Sequence, residues 1–429
     1  MTSQPDPDFG SPGVPTERRS LFEVLGPGLV TGAADDDPSG IGTYSQVGAQ
    51  FGYGMAWTMF FGFPLLASIQ AICAQIGAVT GKGIAQNLRQ HYPRVLLQAV
   101  VLLLLIANVI NLGADLGAMA AALELLVPGP LLLYTFVFGL VSVGLEIFVS
   151  YNRYVSVLKW TTLSLFAYVA VVFVAGVPLG EAVRGTLVPS FTFDQPHTMA
   201  LVAIFGTTIS PYLFFWQAGQ EVEEQHRRHV KPLCVSPRTV GRELARIRVD
   251  TLVGMGFSHI TALFIIVATA ATLHSHGVTD ITSAAQAAEA LRPIAGDLAF
   301  GLFALGIIGT GLLAVPVLAG SAAYAVSETF GWTEGLDRKP REAKAFYGVI
   351  AVATLAGFAL NLLAIDPMKA LYWAAVVNGL LAPPLMIITM LIARNPKVMG
   401  ELVISKGLAF GGWLSTLVMV VIAALFLAV

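Results

Sequence analysis

Residues 32–40 read Gly32-Ala33-Ala34-Asp35-Asp36-Asp37-Pro38-Ser39-Gly40, and they sit in the middle of an otherwise apolar stretch, residues 24–48. Three carboxylates, a proline and flanking glycines are what a helix buried in hydrocarbon should not contain. Proline removes a backbone donor and crowds the preceding turn, and glycine loosens the helix further. Freed amides and carbonyls at membrane depth are tolerated only where they line a cavity or a binding site. A second stretch repeats the device: Gly206-Thr207-Thr208-Ile209-Ser210-Pro211, again inside an apolar run.

The chain around these stretches has the composition of a membrane protein. Of its 429 residues, 56% are hydrophobic and 12% charged, against roughly 25% charged in a soluble domain. A span needs roughly 20 mostly apolar residues. Eleven are expected: 24–48, 54–79, 95–126, 131–150, 155–177, 199–223, 248–272, 299–327, 344–364, 369–393 and 408–428. With the N-terminus inside, all 24 Lys and Arg except Arg184, Arg292 and Lys369 fall on the cytoplasmic side, as the positive-inside rule asks. This places the C-terminus outside. Residues 1–23 read as a polar cytoplasmic tail without a secretory signal, and 24–428 as a single transporter domain: helices 1–5 at 24–177, 6–10 at 199–393 and the eleventh at 408–428. A short interfacial helix is expected at 82–93, an amphipathic outer helix at 280–295, and a basic inner loop at 224–247. The expected fold class is an all-α membrane protein.

The two interruptions fall five spans apart. Five is odd, so the second unit enters the membrane inverted, and matched broken helices in inverted halves point to a transporter's midplane site. The competing reading is a pair of proline kinks that only help helices pack. Asp37, beside the first break, speaks against it, because a carboxylate at that depth is costly unless compensated.

Asp37 is the leading candidate cation ligand. Asp35 and Asp36 share its cavity or stand in a wetter vestibule, and Ser39 and Gly40 leave room for water. In the sixth span Thr207, Ser210, Phe214, Gln217 and Glu221 follow 3,4,3,4 spacing on one helix face; Thr207, Ser210 and Gln217 offer neutral oxygens, and carbonyls near Gly40 and Thr207 add more. Glu221, nearer the inner end, is either a cavity residue or a solvated charge. Asn108, Asn111 and Asp115 on the third span, and Asn378 on the tenth, line a pathway or make interhelical hydrogen bonds. The donor set is oxygen only, which suits Mg, Ca and Mn better than softer metals. Mg²⁺ is typically held by one or two carboxylates with waters retained. Cys73 and Cys234 support neither a disulfide framework nor a thiolate site. No basic aromatic face suggests nucleic acid, no protein partner is required, and the bilayer is the evident environment.

Residues 37–53, DPSGIGTYSQVGAQFGY, closely resemble the first-helix signature of the NRAMP (natural resistance-associated macrophage protein) metal transporters. The resemblance extends over about residues 20–428. It implies two inverted five-helix repeats of the amino-acid-transporter-like plan with helices 1 and 6 broken, plus an eleventh helix. It also implies alternating access in the inner membrane of a prokaryote, with the metal as cargo and no cofactor. The departures matter. The family's Asn position is Gly40, its Met-Pro-His becomes Ser210-Pro211-Tyr212, and a later histidine falls at Gln217. These changes resemble the NRAMP-related magnesium transporters, which implies uptake of partly hydrated Mg²⁺, with Mn²⁺ also accepted. Both histidine positions of the sixth helix are replaced, and Leu112 takes one acidic position of the third helix, with Asp115 at the other; the magnesium branch is regarded as uncoupled, so the resemblance implies transport without proton coupling. The alternatives are a proton-coupled Mn²⁺/Fe²⁺ transporter and, from another substrate class, a sodium-coupled amino-acid symporter. An enzyme finds no support in metal-ligand pairs or nucleophile–base arrangements.

Overall fold

The structure is a computed structural model, and it describes residues 26–149, 164–236 and 239–428. The described residues are helical, with no strand among them. The first span is split as expected into α1 (Pro27–Asp35) and α2 (Pro38–Phe51). There follow α3 (Trp57–Thr80), α4 (Ile84–His91), α5 (Arg94–Glu124), α6 (Leu131–Phe148), α7 (Phe166–Val174) and α8 (Leu179–Leu187). The sixth span is split into α9 (Gln195–Thr208) and α10 (Pro211–Arg227), and α11 (Val240–Thr272) comes next. Short α12 (Ala284–Glu289) and α13 (Arg292–Ala295) lead into α14 (Ala299–Phe330). The chain finishes with α15 (Lys344–Leu360), α16 (Pro367–Ala393), the short α17 (Pro396–Met399) and α18 (Lys406–Ala428).

Nine segments among the described residues are long and apolar enough to cross a membrane. The broken first span is too fragmented to be counted there. The expected tail at 1–23 lies outside the described residues, as does most of the first half of the expected fifth span. Three expectations change. The basic loop at 224–247 is shorter, because α10 runs on through Arg227 and α11 begins at Val240; Glu224 pairs with Arg227 and Arg228 one turn on and carries the helix past the apolar run. The helix expected at 280–295 is two pieces, since Pro293 in the first turn of α13 cannot extend α12. Helix α8 was not foreseen.

α9–α10 forms the centre of the bundle: the apolar window of this segment is 94% buried, against 22% for α6. Around it, α1 packs on α11, α9 on α16, α10 on α3 and α14, and α5 on α14 and α16. Two of these approaches depend on glycine. A Cβ on Gly32 would run into the Gly254 backbone of α11, and one on Gly206 would run into Ala375 and Gly379 of α16. Small residues at such crossings let membrane helices touch backbone to backbone. Leu102, Leu140, Phe173, Val352, Leu355, Phe410 and Leu417 remain exposed on the outer helices, the apolar jacket a bilayer requires.

Candidate metal centre at the two helix breaks

Both breaks are built the same way, as the start of a helix. Asp37 has an extended backbone (φ −70°, ψ 171°) and Pro38 occupies the first turn of α2, where its missing N–H costs nothing. The Asp37 carboxylate accepts the Gly40 amide at 2.7 Å, an N-cap. Ser210 likewise precedes Pro211 in an extended conformation (φ −70°, ψ 133°). Its hydroxyl turns back on α9 and donates to the carbonyls of Gly206 (2.8 Å) and Thr207 (2.7 Å). The C-terminal ends of α1 and α9, the electronegative ends of helices, are thus left at the two breaks.

The breaks meet. Tyr212 Oη reaches from α10 to the Ala34 carbonyl (3.1 Å) and to Asp37 Oδ2 (3.2 Å). Ser39 Oγ lies 3.3 Å from Thr207 Oγ1, and Ser321 of α14 steadies the second break by donating to the Tyr212 carbonyl at 2.9 Å. Asp37, Ser39, Thr207, Ser210 and Tyr212 are all buried. Asp115 of α5 stands within electrostatic reach of Asp37 and the Ser39 amide, while neither of its oxygens has a hydrogen-bond partner. Met119, one turn further along α5, packs where Gly311 of α14 meets Pro38.

Other candidates are placed differently. Gly40 contributes its amide, and its carbonyl lies within α2. Gln217 is fully buried, but its amide oxygen contacts the Thr31 hydroxyl of α1, two turns from Ser210. Asp35 and Asp36 face Ser258 of α11. Asn108 donates to the Leu318 carbonyl at 2.9 Å, an interhelical bond between α5 and α14. The amides of Asn111 and Asn378 are buried without partners, which asks for water or an ion beside them. Glu221 is neither solvated nor exposed to a cavity: it is fully buried against Arg246 of α11, 2.5 Å away. Arg246 also holds Glu243 (3.0 Å), which takes Arg228 in a two-pronged pair at 2.8 Å. This lattice ties the basic ends of α10 and α11 together.

Sequence reading missed several residues that organise the site. Asp250 of α11 caps α1, accepting the amides of Gly26, Gly28 and Leu29 at 2.7–3.1 Å. Ser258, Ser321 and Thr31 are lone hydroxyls in apolar helices, and only their partners give them meaning. No group of three or more His, Cys, Asp or Glu side chains among the described residues is arranged to hold a metal. At the junction of the breaks the chemistry is therefore one carboxyl group among hydroxyls and helix-end carbonyls, with a second, Asp115, close by.

The sequence model of the family described as "Natural resistance-associated macrophage protein-like" matches residues 28–429. The chain belongs to this family. Its members are transporters rather than enzymes, so the metal is cargo and not a cofactor. A curated relative, the divalent metal cation transporter MntH of Klebsiella pneumoniae (strain 342), is 26% identical over 419 residues, 94% of this chain and 93% of the relative. The protein of the same description from Deinococcus radiodurans is 25% identical over 417 residues, 94% and 88% of the two chains. Among solved structures, the Eremococcus coleocola manganese transporter superposes with a TM-score of 0.75 at 16% identity, over 96% of this chain and 87% of that one. Mhp1, a nucleobase-cation-symport-1 family transporter, superposes with a TM-score of 0.56 at 16% identity, over 94% and 91%. The same plan thus serves unlike substrates, so the cargo must be argued from the site.

Proposed function

We propose that this chain carries a small hard divalent cation across the membrane, Mg²⁺ by preference with Mn²⁺ accepted, by alternating access and without a coupled proton. The observation that carries the reading is the junction of the breaks, where Asp37 and the hydroxyls of Ser39, Thr207, Ser210 and Tyr212 meet beneath two helix-end carbonyl arrays. Hard oxygen donors with one carboxylate suit an ion that keeps part of its water shell. Thr207 and Ser210 orient those waters, Gln217 and Thr31 join α1 to α10 on the basic side, and Asn111, Asn378 and Asp115 wet the approach. Residues 24–428 act as one transporter domain following a cytoplasmic tail, with ten spans in two inverted five-helix repeats and an eleventh apart. The basic end faces the cytoplasm of a prokaryote, which puts the N-terminus inside and the C-terminus outside.

Uptake needs no proton on this account. Each elementary charge gains about 2.3 kcal/mol per 100 mV, and a divalent ion about twice that. A second reading, a Mn²⁺ transporter like its named relatives, draws on Met119, whose thioether and Pro38 both border Gly311 of α14. Uptake into proteoliposomes under an imposed potential separates the two: Mg²⁺ should enter without lumenal acidification, and Asp37→Ala should abolish entry. Undiminished Mg²⁺ uptake by Asp37→Ala would remove the site assignment. Acidification together with exclusion of millimolar Mg²⁺ would favour the second reading.

A further inference from the structure

Asp35 and Asp36 face a different helix from Asp37. Both carboxylates converge on Ser258 of α11, whose Oγ lies 2.5 Å from Asp35 Oδ2 and 3.1 Å from Asp36 Oδ1. One hydroxyl has one hydrogen and cannot satisfy both carboxylates. The remaining oxygens, Asp35 Oδ1 and Asp36 Oδ2, are buried without a hydrogen-bond partner. Neither residue forms an ion pair among the described residues. From α2, the Tyr44 hydroxyl is fully buried without a hydrogen-bond partner, within electrostatic reach of Asp35, Asp36 and Asp37, and the Tyr44 ring and the Asp35 carbonyl border the same point beside Gly40. Thr261, one turn along α11, adds a hydroxyl on the Asp36 side.

Two neighbouring carboxylates with no exposure cost several kcal/mol each unless a positive charge compensates them. Protein cations are not at hand, and the geometry is held firmly: Gly32 against Gly254 brings α1 and α11 into backbone contact just before Asp35. The carbonyl end of α1 adds further negative potential at this point.

We propose that Asp35, Asp36, Tyr44 and Ser258 form a second site for a small hard metal cation, on the α11 side of the break, distinct from the Asp37 site on the α10 side. The donors are carboxylate and hydroxyl oxygens, so the occupant is a divalent ion of the transported class or an alkali cation such as Na⁺. The formal charge of the pair matches one divalent ion. The site extends the proposed function but stands on different residues, so either can fail alone.

Equilibrium Mn²⁺ binding to the purified full-length chain in detergent, read as free Mn²⁺ by electron paramagnetic resonance with and without Na⁺, tests it. Wild type should hold one Mn²⁺ per chain more than Asp36→Asn, and Asp37→Asn should retain that ion. If the occupant is Na⁺, the Mn²⁺ count is the same in wild type and Asp36→Asn, and ²²Na⁺ binding disappears in Asp36→Asn. Equal Mn²⁺ counts with no ²²Na⁺ binding in wild type overturn the second site. An unchanged count in Asp37→Asn with loss in Asp36→Asn sinks the Asp37 reading and keeps this one. Should Asp36→Asn not fold, Ser258→Ala serves: it should weaken the second ion about tenfold, and a wild type binding a single Mn²⁺ that Asp37→Asn abolishes, with no ²²Na⁺ bound, overturns the proposal without it.

Discussion

At the scale of residues, Asp37 has two jobs: it caps α2 through Gly40, and it is oriented by Tyr212. The break that makes the first possible was legible in the sequence, because proline interrupts a helix locally. The second was not, because Tyr212 reaches Asp37 only once α10 has packed against α1. Removing that hydroxyl tests its worth. Tyr212→Phe should raise the Kd for Mg²⁺ about tenfold, the size of one hydrogen bond to a charged group, in isothermal titration; an unchanged Kd would leave Tyr212 a bystander. Ser210 carries a different message. Its one hydroxyl hydrogen is shared between the Gly206 and Thr207 carbonyls, so Ser210→Met both withdraws that donor and introduces sulfur. The ratio of Mn²⁺ to Mg²⁺ affinity should rise about tenfold or more, and an unaltered ratio would break the link between donor softness and selectivity.

Among elements, the breaks were readable because proline announces them, whereas helix ends were not. α10 outlasts its apolar run since Glu224 and its arginines pair along it, and Glu221 stayed open between cavity residue and solvated charge because Arg246 arrives from α11, 25 residues later. This buried pair makes a sharp expectation. Arg246→Met leaves Glu221 uncompensated and should cost about 3–5 kcal/mol, seen as a lowered melting temperature in detergent, and the double variant Glu221→Gln/Arg246→Met should recover most of it. Failure of the double variant to recover would mean that the arginine acts through Glu243 alone. The α9–α16 crossing offers a second test. Gly206→Ala places a methyl against Ala375 and Gly379, and overpacking of this kind costs about 1–3 kcal/mol. Transport should fall while expression persists; normal transport would show that the crossing has slack. Such contacts are invisible in one sequence, where Gly206 reads only as part of a break.

In the whole molecule, the two ends differ. The lattice of Glu221, Arg246, Glu243 and Arg228 ties α10 to α11 at the basic end, where a cavity of about 410 Å³ is bordered by Glu223, Arg227, Glu334 and Lys339; a cavity of about 470 Å³ bordered by Gly42, Gln46, Met199 and Tyr372 lies against α2 and α16 beyond the break. The charge asymmetry was plain from lysine and arginine positions, but the pairing that ties that end together depends on side chains from distant helices. The loop after α14 adds a pH response. Burial, then the neighbouring Glu328 and Glu223, push the Glu334 carboxyl up to about 9. Its folded form therefore keeps a proton that an unfolded chain has lost above its ordinary pKa of 4.5, and stability falls as pH rises through that window. Thermal midpoints should drop between about pH 6 and about pH 9, with Glu334→Gln flattening the trend; an equal slope in the variant would shift the cause elsewhere. The central claim is that the two fractured helices hold the cargo between them. Anomalous X-ray scattering from crystals soaked in Mn²⁺ tests it most directly: a peak should stand beside the Asp37 carboxylate, between Ser39 and Thr207, and vanish in Asp37→Ala. A fully loaded crystal with no peak between the breaks would contradict the account.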